Sequence, residues 1–201
     1  MMDSKDGSEQ HRRRQRGPRK ATPDYLEKAA LFYLERYSAP AEHLRRLLLA
    51  KVARSARVYQ TDAEAGAAAV DELIARLTQA GLLDDAAYAM ARARSLARRG
   101  ASARGIRGRL LHKGVAPDLI DQALTGLAET AGEPELAAAL TFSRRRRLGP
   151  YRAAARAERR ERDLAALSRQ GFDLALARRV IDARDIEELE EEAGVTPRAE
   201  S

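Results

Sequence analysis

Six valines and five isoleucines stand against 41 alanines and 25 leucines in a chain of 201 residues. Valine and isoleucine are what an extended sheet is built from, whereas Ala, Leu, Arg and Glu favour helices. The chain is therefore expected to be all-α. Leu, Ile, Val and Phe together make up just under a fifth of the residues, so the core must be thin, spread out and rich in small side chains.

The absence of cysteine excludes disulfides, thiolate metal sites, iron–sulfur clusters and cysteine nucleophiles. The start of the sequence, MMDSKDGSEQHRRRQRGPRK, has no apolar segment of the secretory kind. No run approaches the ~20 apolar residues that a membrane-spanning helix needs. These features give the expectation of a soluble, cytoplasmic chain.

Residues 1–20 hold seven Lys/Arg against three acids and no apolar periodicity, which reads as a disordered basic arm over residues 1–21. Thr22-Pro23-Asp24 is a helix start with Thr22 as N-cap, followed by Leu26, Ala30, Tyr33 and Tyr37 as one buried stripe. Ser38 is the expected cap of a second helix carrying Leu44, Leu47 and Leu48. The weakly patterned stretch 54–67 reads as a loop insertion before a third helix with Val70, Leu73, Ile74 and Leu77. Asp84 or Asp85 opens a helix whose apolar face is Ala86, Met90, Ala93 and Ala97. Helices closed by Gly114, opened by Pro117 and Pro134, closed by Gly171 and opened by Asp173 follow. The acidic stretch 185–201 reads as a tail that extends the last helix and frays.

An internal repeat runs through this pattern. Leu110, Gly114, Val115, Leu119 and Leu124 align with Leu167, Gly171, Phe172, Leu176 and Ile181 at an offset of 57. A looser copy, at an offset of 62, pairs Leu44, Leu48 and Lys51 with Ile106, Leu110 and Lys113. Three tandem three-helix repeats, over 22–81, 82–130 and 133–184, account for the chain as an elongated array of nine helices. Units this small bury their apolar faces by stacking on neighbours.

The stretch Gly81-Leu82-Leu83-Asp84-Asp85, with Tyr88-Ala89, Arg98-Arg99-Gly100 and Leu110 to Val115, resembles the RecX family, regulatory proteins of the RecA recombinase. The resemblance spans about residues 24–183. It implies an all-helical array that binds RecA, as monomer and as filament on single-stranded DNA, and limits filament growth, ATP hydrolysis and strand exchange. The chain is expected to be a monomer that meets single-stranded DNA within the filament or by weak direct binding, with no enzymatic activity and no cofactor.

Thirty-two of the 37 cations are arginine, which suits two-point contacts with phosphate or carboxylate. The candidate partner-binding residues are Arg94, Arg98 and Arg99, then Arg104, Arg107, Arg109 and Lys113, and the cluster Arg144, Arg145, Arg146 and Arg147. The last cluster sits at a helix end, where cations also complement the macrodipole. The residues alone leave two other readings open, a general nucleic-acid-binding helical protein and an inert helical adaptor. Gly100, Gly105 and Gly108 have the outline of a phosphate loop, but Ile106 stands where the lysine would be. His11, His43 and His112 have no partners at metal-ligand spacing, and no nucleophile–base pair is evident. Tyr88 is expected in the core.

Overall fold

A computed structural model describes residues 19–129 and 132–195. The arm expected over residues 1–21 lies outside these residues except for its last three, as do residues 196–201 of the expected tail. Ten α-helices and one short 3-10 turn form among the described residues, and no strand. They fall into three hydrophobic cores, one per repeat.

The first repeat contains α1 (Pro23–Leu34), α2 (Ala41–Tyr59) and α3 (Ala63–Gln79). Thr22 caps α1 as expected, accepting the Tyr25 N–H at 3.2 Å. Of the expected stripe only Leu26 and Ala30 are fully buried, while Tyr37 is exposed. The loop expected at 54–67 is instead helical on both sides of a three-residue turn. Nothing in 52–59 can stop α2, because no glycine stands where Gly114 and Gly171 end the equivalent helices. Leu44, Leu48, Val52 and Ser55 carry one buried stripe straight through. Gln60 then turns at φ 52°, and Asp62 caps α3 through the Glu64 and Ala65 N–H groups. Gly66 makes the close crossing possible, since a Cβ there would lie 2.6 Å from the Val52 side chain.

The second repeat contains α4 (Asp85–Ala97), α5 (Ala103–Lys113) and α6 (Pro117–Ala128). Asp84 caps α4, but the helix is rotated from the expected face: Ala89, Ala93 and Leu96 are buried and Ala86 is exposed. The third repeat contains α7 (Pro134–Arg146), α8 (Arg156–Gln170) and α9 (Leu174–Ile181). The repeat offset of 57 is visible in the backbone. Gly114 (φ 88°) and Gly171 (φ 93°) end their helices in the left-handed conformation that glycine adopts without penalty. The residues after them, Val115 and Phe172, donate to the carbonyls of Leu110 and Leu167.

A tenth helix, α10 (Ile186–Glu192), corrects the expectation that 185–201 is only a tail. Asp185 caps it, breaking it from α9, and Leu189 and Ala193 enter the third core. The buried Glu190 accepts the Tyr151 hydroxyl at 2.6 Å and faces Arg144 at 3.8 Å. Burial and this bond raise the Tyr151 pKa well above the ordinary tyrosine range.

The second helices of the three repeats meet end to end. At the start of α5, the Ser102 hydroxyl accepts Gly105 N–H and donates to the carbonyl of Gln170 at the end of α8. At the end of α5, the Arg46 guanidinium donates from α2 to the carbonyl of His112 at 3.0 Å. Each junction sets the positive end of one helix against the negative end of the next. The first helices reinforce it from the side. Asp85 of α4 accepts Ala41 N–H at the start of α2, and Glu135 of α7 accepts Ala103 N–H at the start of α5. Pro40, which precedes α2, has no capping side chain, and Ser38 does not cap this helix.

Candidate partner-binding surface

The eleven cations singled out from the sequence divide into those already engaged within the fold and those left to solvent. Arg107 of α5 is bound to Asp121 of α6. Arg144 faces the buried Glu190, and Arg145 donates to the carbonyl of Arg99 at 3.0 Å. Arg146 lies over the Phe142 ring, 6.0 Å from its centroid. Arg104 packs its side chain beside Gly171 at the junction of α5 with α8. Lys113 approaches His43 Nε2 at 3.4 Å. Burial first, then Lys113, Arg46 and His112, pushes the His43 pKa below the ordinary histidine value. These side chains hold one repeat to the next or one helix to another, so the sequence pattern mixed structural cations with available ones.

Arg94 and Arg98 behave differently. They follow each other by one turn on the exposed side of α4, and neither makes an ion pair among the described residues. Both border a groove of about 490 Å3 between the second and third repeats. Its walls are largely apolar, from Ala97, Leu127, Ala137, Ala138 and Val195, with Thr141 among them. Arg99, Arg109 and Arg147 are also exposed and without an ion pair among the described residues, but none borders that groove. The second repeat therefore brings a pair of guanidinium groups to an apolar cleft, an arrangement that can bind carboxylate or phosphate in two-point contacts while covering apolar surface.

The groove exists because the repeats approach closely there. Gly100 stands at φ 82°, and a Cβ on it would lie 2.8 Å from the backbone N of Phe142. Gly105 serves a similar purpose, with its open side against the carbonyl of Gln170, whereas Gly108 has nothing within 4 Å. The glycines that outlined a phosphate loop are thus split between helix packing and open surface, around no bound-phosphate cradle. Tyr88 packs against the second core, as expected. Among the described residues no group of three or more His, Asp or Glu side chains could hold a metal ion. No helix among them is long and apolar enough to cross a membrane.

Sequence reasoning missed a second feature, an open apolar groove between α1 and α2 in the first repeat. A signal was present. Leu31-Phe32-Tyr33-Leu34 is four consecutive apolar residues on one helix, which covers the whole circumference and must leave part of it outside. Leu31 and Phe32 are the exposed ones.

Residues 84–124 match the family described as RecX, second three-helix domain. The Regulatory protein RecX of Myxococcus xanthus (strain DK1622) is 41% identical over 177 residues, covering 86% of this chain and 94% of that protein. The Regulatory protein RecX of Agrobacterium fabrum (strain C58 / ATCC 33970) is 39% identical over 110 residues, covering 54% and 56% respectively. The crystal structure of RecX from Lactobacillus salivarius shares the fold, with a TM-score of 0.57 at 17% identity over 84% of this chain and 97% of that one. With a relative 41% identical and covered along 94% of its length, the chain belongs to the RecX family.

Proposed function

We propose that this chain is a non-enzymatic regulator, mainly an inhibitor, of a RecA recombinase. It binds RecA and its filament on single-stranded DNA as a monomer in the cytoplasm. It limits filament growth, ATP hydrolysis and strand exchange, and in that way modulates DNA repair and recombination. Two of its relatives are named regulatory proteins. The observation that carries the reading to particular residues is the pair Arg94 and Arg98, exposed and without an ion pair among the described residues, on the central repeat beside an apolar groove. A filament offers both acidic protein surface and phosphate, and arginine engages either in two-point contacts.

The test is RecA ATP hydrolysis on single-stranded DNA with the wild-type chain and with Arg94→Glu/Arg98→Glu. Arg104 and Arg107 are left in place because one packs beside Gly171 and the other holds Asp121. The double variant is expected to lose inhibition while keeping its helicity. Deleting residues 1–20 is expected to weaken inhibition only modestly and mostly at low salt, as a screened contribution does. Full inhibition by the double variant sinks this assignment of residues, and an ATP hydrolysis rate untouched by the wild type sinks the function. Salt-sensitive binding to bare DNA without any effect on RecA would favour a general nucleic-acid-binding protein instead.

A further inference from the structure

The groove between α1 and α2 has the composition of a docking site. It is open and about 700 Å3 in volume. Ala29 from α1 and Leu44, Leu47 and Leu48 from α2 make an aliphatic floor. Tyr25, Phe32 and Tyr33 make an aromatic wall, and Phe32 stands 58% exposed. The rim carries Arg19, Lys28, Lys51 and Arg54, with Lys28 paired to Asp24 at 2.9 Å, and no acid among the described residues lines the groove. Lys51 Nζ lies 5.7 Å from the Tyr25 ring centroid. A second hollow continues along α2 past Arg54 to Arg57 and to Val58, itself 53% exposed. A contiguous exposed apolar surface of this kind marks an interaction site more often than a solvated face.

The chemistry of the walls selects the occupant. Residues 1–18 carry five Lys/Arg against three acids, the same sign as the rim, and residues 196–201 contain no large apolar side chain. A second copy offers no suitable element among the described residues either. Its acidic helix, α10, spends its two apolar side chains, Ile186 and Leu189, on its own core. Nucleobases seated on Ala29, Leu44 and Leu47 would leave their polar edges without partners on that floor. An amphipathic helix places aliphatic side chains every three or four residues into such a groove and leaves its other face to meet the rim.

We propose that the α1–α2 groove docks an acidic amphipathic helix of a partner protein, its aliphatic side chains between Phe32 and Leu47 and its carboxylates against Lys51, Arg54 and Arg19. The site lies in the first repeat and uses none of the arginines of the central one, so it stands apart from the recombinase reading above. Arg36, whose guanidinium lies 3.8 Å from the Phe32 ring centroid, is positioned at the edge of the same wall.

The experiment uses the full chain and a labelled synthetic peptide of about four helical turns, with leucines at i, i+3, i+4 and i+7 spacing and glutamates elsewhere. Fluorescence anisotropy reads affinity, and backbone amide shifts locate the site. Saturable binding is expected, with shifts concentrated in α1 and α2 and affinity falling as salt is raised. Phe32→Ser and Lys51→Glu/Arg54→Glu are each expected to weaken it by about tenfold. All three positions are exposed, so circular dichroism should show unchanged helicity. Arg94→Glu/Arg98→Glu should bind the peptide as the wild type does, and a peptide with serines in place of leucines should not compete. The proposal is overturned if binding is absent, or if it survives both groove variants. Loss of binding in Arg94→Glu/Arg98→Glu, or displacement of the peptide by an oligothymidylate, would equally overturn it.

Discussion

The Glu135 carboxylate accepts the backbone N–H of Ala103 at 2.9 Å, so the first helix of the third repeat caps the second helix of the second repeat. Asp85 and Ala41 repeat the relationship at 2.7 Å between the second repeat and the first. Each acid meets the positive end of a helix in its neighbour, where free N–H groups are otherwise unsatisfied. The stacking of units is therefore specified by hydrogen bonds as well as by apolar contact.

Burial raises the Glu135 pKa above the ordinary glutamate value of 4.5, against the opposing effect of the Ala103 N–H. A raised folded-state pKa means that the native state favours the protonated acid. The stability this contributes is full below the ordinary value and is lost as pH rises through the shifted one. Glu135→Gln keeps an acceptor for Ala103 and removes the titration. Urea denaturation as a function of pH should show the wild type losing ground to this variant as pH rises above the ordinary carboxylate range. A constant difference across that range would contradict the sign.

Removing the other link between repeats is expected to be costly. Asp85→Ala leaves the Ala41 N–H without its cap at the start of a helix whose preceding residue, Pro40, offers none. The expected loss is about 1 kcal/mol in a urea titration, and Asp85→Asn should retain most of it.

Two glycines only eight residues apart should respond in opposite directions. Gly100→Ala forces a Cβ into a residue at φ 82° and to within 2.8 Å of Phe142 N. A loss of about 2 kcal/mol or more is expected. Gly108→Ala lies inside α5 with nothing within 4 Å, so helix propensity should add about 0.5–1 kcal/mol. Thermal unfolding of the two variants side by side checks both signs.

The last prediction separates a core helix from a tail. Leu189→Ala removes a side chain that is only 9% exposed in the third core, and about 2 kcal/mol should be lost. Truncation after Arg184 should destabilise the third repeat further, because Tyr151 and Arg144 then lose Glu190. Truncation that leaves the melting temperature unchanged would return 185–201 to the status of a tail.

The available part of the candidate surface was only half legible. All eleven cations could be picked out as charge clusters, but charge clusters do not say which members have partners. Arg107 is spent on Asp121, fourteen residues away, and Arg145 on the carbonyl of Arg99, forty-six residues away. Arg94 and Arg98 remain, and only the approach of α7 gives them a groove to border.

What the sequence determined by itself was everything that acts within a turn or two of helix. Thr22-Pro23, Asp84 and Asp173 start helices, and Gly114 and Gly171 stop them 57 residues apart, because capping and positive φ are local demands met by local residues. The three-helix repeat followed from those signals. What only the tertiary structure decided was orientation and partnership. An alanine-rich helix such as α4 gains nearly the same from burying either of two adjacent faces, so contact with α6 and α7, not composition, buries Ala89 and Leu96 and exposes Ala86. In the same way α2 runs on to Tyr59 because Val52 and Ser55 find partners in the fold, and α10 is held by a core that begins at Leu136 of α7.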